Sequence, residues 1–327
     1  MIEKLLIFEN RGTDPYQNLA IEKYLLDSVL PGQCILYLWQ NQNTVVIGHN
    51  QNPWVECRTA LLEEEGGHLA RRLSGGGAVF HDLGNLNFTF LVNTEDYDVD
   101  KQLSVIQNAC AIAGFQTEKS GRNDILANGS KFSGNAFYNS KGRAYHHGTL
   151  LISADMEKLQ RYLSPSKAKL QAKGVASVRS RVINLQELAP MLTCDKMRQY
   201  MRTAFEKVYG MAAESIVLTE DAHVSIRHSA RQYSAWEYLY GTPLPFSFAC
   251  EDRFSWGQFR LEIEAKAGVI VAVKAYSDAM DWQIAAKAEQ ALTGCAFRLA
   301  DMCTALHANM DTQIAKDLSG LLEQQNL

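Results

Sequence analysis

Apolar residues recur along this chain with two different periods. They fill Leu5–Phe8, Cys34–Trp39, Thr44–Ile47 and Leu86–Val92 as short runs, which predicts strands. Leu19, Glu22, Leu25, Leu26 and Val29 instead fall at roughly helical spacing, which predicts a helix over Asn18–Leu30, stopped by Pro31-Gly32. Further helices are predicted at Thr59–Glu65, Leu103–Ala113, Asp155–Tyr162 and Cys194–Tyr209. Asn128-Gly129, between Asp124–Ala127 and Lys131–Phe137, is a strong hairpin signal, and Lys141-Gly142 turns the chain onward into Ala144–Ile152. Near the end, Phe259, Leu261 and Ile263 alternate with charged residues, Ala267-Gly268 turns, and Val269, Val271 and Val273 alternate back. Helices finish the chain between Ala285 and Gln325. Strands followed by scattered helices argue for an α+β fold rather than a regular βαβ repeat. The segment Gly241–Asp252, with its TPLPF run, reads as a boundary, and Pro243–Asp252 as a hinge. The expected domains are residues 1–244 and a smaller α+β piece at 250–327.

Composition narrows the function classes. A chain of 327 residues suits one large and one small domain. The formal net charge of −4 lacks the basic excess of a general nucleic-acid binder. Cys34, Cys57, Cys110, Cys194, Cys250, Cys295 and Cys303 form no CxxC pair and suit neither a zinc site nor a disulfide framework, so free thiols in a reducing compartment are expected. The apolar run in MIEKLLIFEN is too short for a signal peptide, and no stretch has the roughly 18 apolar residues of a membrane helix. A cytoplasmic protein without membrane or nucleic-acid partners is the expectation.

Three segments carry candidate chemistry. In Arg71-Arg72-Leu73-Ser74-Gly75-Gly76-Gly77-Ala78-Val79-Phe80-His81-Asp82, successive glycines let backbone amides approach an anion and permit positive φ. The two arginines add charge suited to phosphate. Neither a Walker A pattern nor a spaced GxGxxG is present, so a nucleotide here would not sit in a P-loop or Rossmann site. In the second segment, Lys131 enters a strand after a hairpin turn. Asp124 is the candidate Mg²⁺ carboxylate, with turn capping as its plainer role. In the third, His146 and His147 point to opposite faces of one strand, with no third metal ligand evident. From Lys158 to Gln186 stand seven basic residues and no acidic one: Lys158, Arg161, Lys167, Lys169, Lys173, Arg179 and Arg181. Such a run is either a solvated face or a segment that covers a site or docks an acidic partner.

These segments together resemble the lipoate–protein ligase A family. The matching stretches are Asn52–Cys57, Arg71–Asn85, Gly121–Asp124, Lys131–Tyr138, His146–Leu151, Ala172–Leu185 and Arg231–Gly241, in the family's order and spacing. The resemblance implies an α+β fold with a large mixed-sheet catalytic domain of the biotin/lipoate ligase type. It implies two half-reactions: lipoate and ATP give lipoyl-AMP and pyrophosphate, and the acyl group then passes to a lysine of a lipoyl domain. Carried over to matching positions, Arg72, Gly77, Ala78, Val79, Phe80, Asn123 and Asp124 would bind ATP. Lys131 would touch both the carboxylate and the α-phosphate as the catalytic residue. Ser74, Gly76, His81, Asn85, Ala136, His147 and Thr149 would line the lipoate side, and Asp124 would hold Mg²⁺. Implied partners are the lipoyl domains of 2-oxoacid dehydrogenase E2 subunits and the glycine cleavage H protein. The family's usual Ser or Thr after KxSG is Asn135 here. A lipoyl or octanoyl transferase using a preformed activated donor would share most of these motifs, and so would a non-catalytic binder of lipoyl-AMP.

Overall fold

The computed structural model describes residues 1–49, 51–120, 124–163, 171–172, 182–241, 246–277, 279, 281, 283–325 and 327. Asn123, residues 243–245 of the expected hinge, and Lys167, Lys169, Lys173, Arg179 and Arg181 of the basic run lie outside the described residues. The chain forms two compact units. One comprises Met1–His49, Ala70–Leu159 and Val178–Ser234; the other comprises Asn50–Leu69, Gln160–Ser177 and Ala235–Leu327.

The first unit is built on an eight-stranded mixed sheet in the order Ala213–Ser215, Lys4–Glu9, Gln33–Trp39, Asn85–Asn93, Arg143–Leu151, Ser130–Ser140, Asp124–Ala127, Glu118–Ser120. Lys4–Glu9 pairs in parallel with both its neighbours, and the remaining pairs are antiparallel. Helices cover both faces, so the central strands read as continuous apolar runs. Beneath the helices Val99–Ile112 and Cys194–Tyr209 lie Leu36, Phe88, Phe90 and Phe132, packed with Phe205 of the second helix. Beneath Pro15–Ser28 lie Tyr37, Leu91, Tyr145 and, from the helix Glu220–Tyr233, Ile226 and Ala230. The first helix begins at Pro15 rather than Asn18. Asp14 caps it by accepting from Tyr16 N and Gln17 N, and proline at its first position has no amide to satisfy. A smaller sheet pairs Thr44–Ile47 with Val79–His81, setting Thr44 opposite His81 and Val46 opposite Val79.

The second unit carries an antiparallel sheet of Gln171–Ala172, Phe246–Phe254, Gly257–Lys266 and Val269–Ser277, followed by three described helices between Gln283 and Glu323. Residues 246–252 of the expected hinge belong to a regular strand paired with Gly257–Lys266. The predicted hairpin is present, but its second strand is corrected. Val269 and Val271 are exposed while Ile270 and Val273 are buried. A bulge explains this: Glu264 faces Ala272 and Ala265 faces Ile270, so Val271 is the extra residue and the alternation changes sides across it.

Asn50–Leu69, distant in sequence, packs into this second unit. The Trp54 ring lies 5.1 Å from both Tyr240 and Phe297, the latter edge-on. Ala60 N donates to Leu327 O at 2.9 Å, and Tyr240 Oη donates to Glu63. A chain ending at Tyr240 should therefore expose Trp54 and Leu62 and become cleavable within residues 51–69. Limited proteolysis, with cut sites read by mass spectrometry, checks this. A segment as resistant as in the full chain would contradict it.

Candidate functional site

The site is assembled within the first unit, beginning with the hairpin. Asn128 and Gly129 both adopt positive φ, +49° and +71°, the conformation a tight two-residue turn requires. The turn sets Asp124 opposite Gly134 and Leu126 opposite Lys131, with a register shift between Ile125 and Leu126. That shift is a bulge at Phe132–Ser133. Phe132 turns into the core with Phe88, and Lys131 is brought onto the face shared by Asp124, Gly134 and Ala136. Strict alternation would have pointed Lys131 away from Ala136. Lys131 Nζ pairs with Asp124 Oδ1 at 2.8 Å, and both side chains keep about a quarter of their exposure (24% and 27%). A β-carbon on Gly134 would lie 3.2 Å from Lys131 Cε and Nζ. Gly134 N donates to Thr149 Oγ1 at 3.2 Å. Ala136 stands opposite His147 on the neighbouring strand.

The glycine loop lies over this surface. Gly76 has φ +91°, and a β-carbon there would meet Ala136 Cβ at 4.0 Å and Arg72 Nη2 at 3.0 Å. Beneath it, a β-carbon on Gly48 would lie 2.3 Å from Gly76 O, so the two backbones touch directly. Arg72 is buried and turned inward. Its Nη2 donates to Gly75 O and Gly77 O, both at 2.7 Å, its Nη1 to Val46 O at 3.1 Å and its Nε to Ser74 Oγ at 3.1 Å. Arg71 Nη1 donates to His49 O at 2.9 Å. Burial pulls the Arg72 pKa down to about 10, which leaves it charged at neutral pH. With the carbonyls drawn inward, Gly75 and Gly76 remain exposed and Gly77, Ala78 and Val79 half-buried, while Phe80 is a core residue. An anion here would meet mainly backbone amides.

Two buried polar relays support the loop from below. Both start on one face of Pro15–Ser28, at Asn18 and Glu22, one turn apart. Asn18 Nδ2 donates to Asn41 Oδ1 at 2.9 Å, and Asn41 Nδ2 lies 3.2 Å from His81 Nδ1. Glu22 Oε1 lies 2.8 Å from His147 Nδ1, and His147 Nε2 lies 2.7 Å from Ser74 Oγ. Asn85, Asn87 and Thr89 line the adjoining strand beside Thr149 and His147. Asn85 Nδ2 donates to Asn87 Oδ1 at 2.9 Å. His81 Nε2, Asn85 Oδ1 and Asn87 Nδ2 are buried without a hydrogen-bond partner among the described residues. They are the groups here able to take a ligand's polar atoms.

The geometry thus gathers Ser74, Gly76, Lys131, Asp124, Ala136, His147 and Thr149, with His81 and Asn85 alongside. Glu22, Asn18, Asn41, Thr89 and Gly48 were not singled out from the sequence. The available signal was a carboxylate, Glu22, standing on the apolar stripe of a predicted helix. Asn135 faces the other side of the sheet: its Oδ1 lies 2.8 Å from Nε2 of the fully buried His146, and the side chain lines no part of the surface beneath the loop.

Burial pulls both His146 and His81 down to about 3, with the charge of Arg72 adding to the effect at His81 and that of Lys119 at His146. In the unfolded chain each would titrate near 6.5. The folded values are depressed, so unfolding takes up protons between roughly pH 6.5 and 3, and stability falls as pH falls through that window. His146→Gln should lower proton uptake on unfolding at pH 5 by about one. The slope of unfolding free energy against pH, from urea titrations, measures it; an unchanged slope would contradict the neutral assignment.

Comparison with known proteins places this arrangement. Residues 14–206 match the family model described as the lipoyl protein ligase A/B catalytic domain, and residues 244–322 match that of the bacterial lipoate protein ligase C-terminus. A lipoate-protein ligase A from Bdellovibrio bacteriovorus is 42% identical over 304 residues, covering 91% of this chain and 90% of the relative. Among solved structures, P. falciparum LipL1 in complex with lipoate is similar with a TM-score of 0.63 and 25% identity, covering 98% of this chain and 99% of the other. A lipoate-protein ligase A bound with ATP is similar at TM-score 0.63 and 26% identity, covering 74% of this chain and 99% of the other.

Proposed function

The chain belongs to the lipoyl protein ligase A/B family, and from that premise we infer that it is an ATP-dependent lipoate–protein ligase. It activates lipoate as lipoyl-AMP, releases pyrophosphate, and transfers the lipoyl group to a lysine on a lipoyl domain.

The residues suit that chemistry. Joining a carboxylate to a triphosphate brings two anions together, so catalysis consists largely of charge neutralisation and positioning. The observation that carries the reading is the placement of Lys131. Its ammonium stands on the same sheet face as Ala136, over which Gly76 lies, so a phosphate held by loop amides and an acyl carboxylate can both reach it. Lys131 would stay charged and bridge the carboxylate and the α-phosphate. Ser74, Gly76, His81, Asn85, Ala136, His147 and Thr149 would line the adenylate, and the backbone of Gly77, Ala78, Val79 and Phe80 would face the nucleotide. Arg72 would act through the loop carbonyls it holds. Mg²⁺ is compatible with the donor set, since that ion commonly takes one carboxylate and completes its shell with phosphates and water. Asp124 would hold it, and it would offset triphosphate charge.

As acceptors we propose lipoyl domains of 2-oxoacid dehydrogenase E2 subunits and the glycine cleavage H protein. No described helix is long and apolar enough to cross a membrane; a cytoplasmic site of action is part of the proposal. The decisive experiment mixes the protein with free lipoate, MgATP and an apo lipoyl domain. Pyrophosphate release and a lipoyl mass shift on the acceptor are expected. Transfer from supplied lipoyl-AMP without pyrophosphate release from free lipoate would replace this reading with a transferase. Binding of lipoyl-AMP with neither reaction would make the protein a non-catalytic binder.

A further inference from the structure

We propose that Glu22 is a positioning residue for this site. Its buried carboxylate fixes the proton of His147 on Nδ1 and, through Ser74 and Arg72, holds the glycine loop in the shape that receives the triphosphate. The inference rests on the ligase reading and deepens it by adding a residue that touches none of the reacting groups.

Glu22 is 2% exposed, on the face of its helix that packs against the sheet. A carboxylate in such a place must be met by donors. Two converge on Oε1: Thr89 Oγ1 at 2.7 Å and His147 Nδ1 at 2.8 Å. Thr89 is itself oriented, since its oxygen accepts from Trp39 Nε1 at 3.2 Å and its hydroxyl proton is free to go only to Glu22. A ring nitrogen facing this carboxylate must carry a proton, because the opposite tautomer would set a lone pair against an anion.

The consequence runs outward to the loop. With Nδ1–H committed to Glu22, the Nε2 lone pair is left for Ser74, whose hydroxyl donates across 2.7 Å. The Ser74 oxygen is then left to accept from Arg72 Nε at 3.1 Å. The same guanidinium holds the Gly75 and Gly77 carbonyls. Every bond in this series donates in one sense, from the buried cation Arg72 to the buried anion Glu22. Reversing the histidine would aim an N–H at Ser74 and take away the acceptor its hydroxyl points to, leaving Tyr145 as that hydroxyl's other neighbour. Glu22 and His147 form a carboxylate–histidine pair of the kind that fixes ring orientation at catalytic centres, acting here on a phosphate-binding loop.

The test uses the full-length protein labelled with ¹⁵N-histidine, and pyrophosphate release from lipoate and MgATP on the same samples. In the wild type, His147 should show a protonated Nδ1 and an unprotonated Nε2. Glu22→Gln retains the shape but can present either oxygen or nitrogen to the ring, so it should give mixed or reversed tautomers. Its kcat/KM for activation should fall about 10–100-fold, the scale known for losing the carboxylate partner of a metal-bound histidine. Glu22→Asp keeps the charge, should keep Nδ1–H, and should recover part of the loss. A wild-type His147 protonated on Nε2 overturns the proposal without any variant. So does a Glu22→Gln enzyme of normal activity, one that loses activity with its tautomer unchanged, or a Glu22→Asp enzyme no better than Glu22→Gln. Failure of the wild type to release pyrophosphate would count against the ligase reading alone, because the tautomer is read without turnover.

Discussion

Replacing Lys131 with alanine is expected to slow pyrophosphate release by roughly 10²–10³, with the fold intact. A preorganised cation aimed at charge that develops in the transition state contributes about 3–4 kcal/mol. Among the described residues Arg72 does not take over, because its Nε, Nη1 and Nη2 are all engaged by the loop and Val46. Stability should change little, because Lys131 and Asp124 are both partly exposed and an ion pair of that kind contributes under about 1 kcal/mol. The check is a pyrophosphate-release assay alongside a thermal melt. Near-normal release from a folded Lys131→Ala protein would remove the residue from the catalytic role.

Gly76→Val should abolish measurable ATP binding at concentrations that saturate the wild type. At φ +91° a side chain is strained regardless of space, by about 1–3 kcal/mol, and a β-branched one is disfavoured most. The added carbons would also meet Arg72 Nη2, only 3.0 Å from the β-carbon position, and push it off the Gly75 and Gly77 carbonyls. Those carbonyls would then turn towards the anion. Gly48→Ala attacks the same loop from below, since its methyl would collide with Gly76 O. Titration calorimetry with MgATP measures both variants. Unchanged affinity in a folded Gly76→Val protein would reduce the loop to a structural turn.

The local grammar of the chain was written in its residues. Periodicity and turn signals located six of the eight strands of the large sheet and the helices Pro15–Ser28, Val99–Ile112 and Cys194–Tyr209, because a buried strand and an amphipathic helix each impose a period. The short edge strands Glu118–Ser120 and Ala213–Ser215 and the helix Glu220–Tyr233 were not located. Asn128-Gly129 specified its turn, since few other pairs accept two positive φ angles in succession. The triple glycine and its flanking arginines marked the phosphate-binding candidate for the same reason: the absence of side chains is itself a local property.

What the sequence left open were facts of direction and partnership, which only packing sets. A bulge at Phe132–Ser133 aims Lys131 at the loop, and another at Val271 moves the apolar face of the last hairpin onto Ile270. Both arise from register against a neighbouring strand, which a single strand's pattern does not contain. Arg72 is in the sequence only a charge beside the glycine loop; the fold adds that its guanidinium holds the carbonyls of Val46, Gly75 and Gly77. Glu22 reads as a polar interruption of a helix until Thr89 and His147, far away in sequence, supply its donors. Asn50–Leu69 joins residues beyond Ala235 because Trp54 finds its ring partners there. The sequence by itself determined most of the long elements and which residue types could handle two anions. The tertiary structure decided which of those residues face one another, because a side chain's direction and desolvation depend on neighbours that the chain supplies only once it has folded.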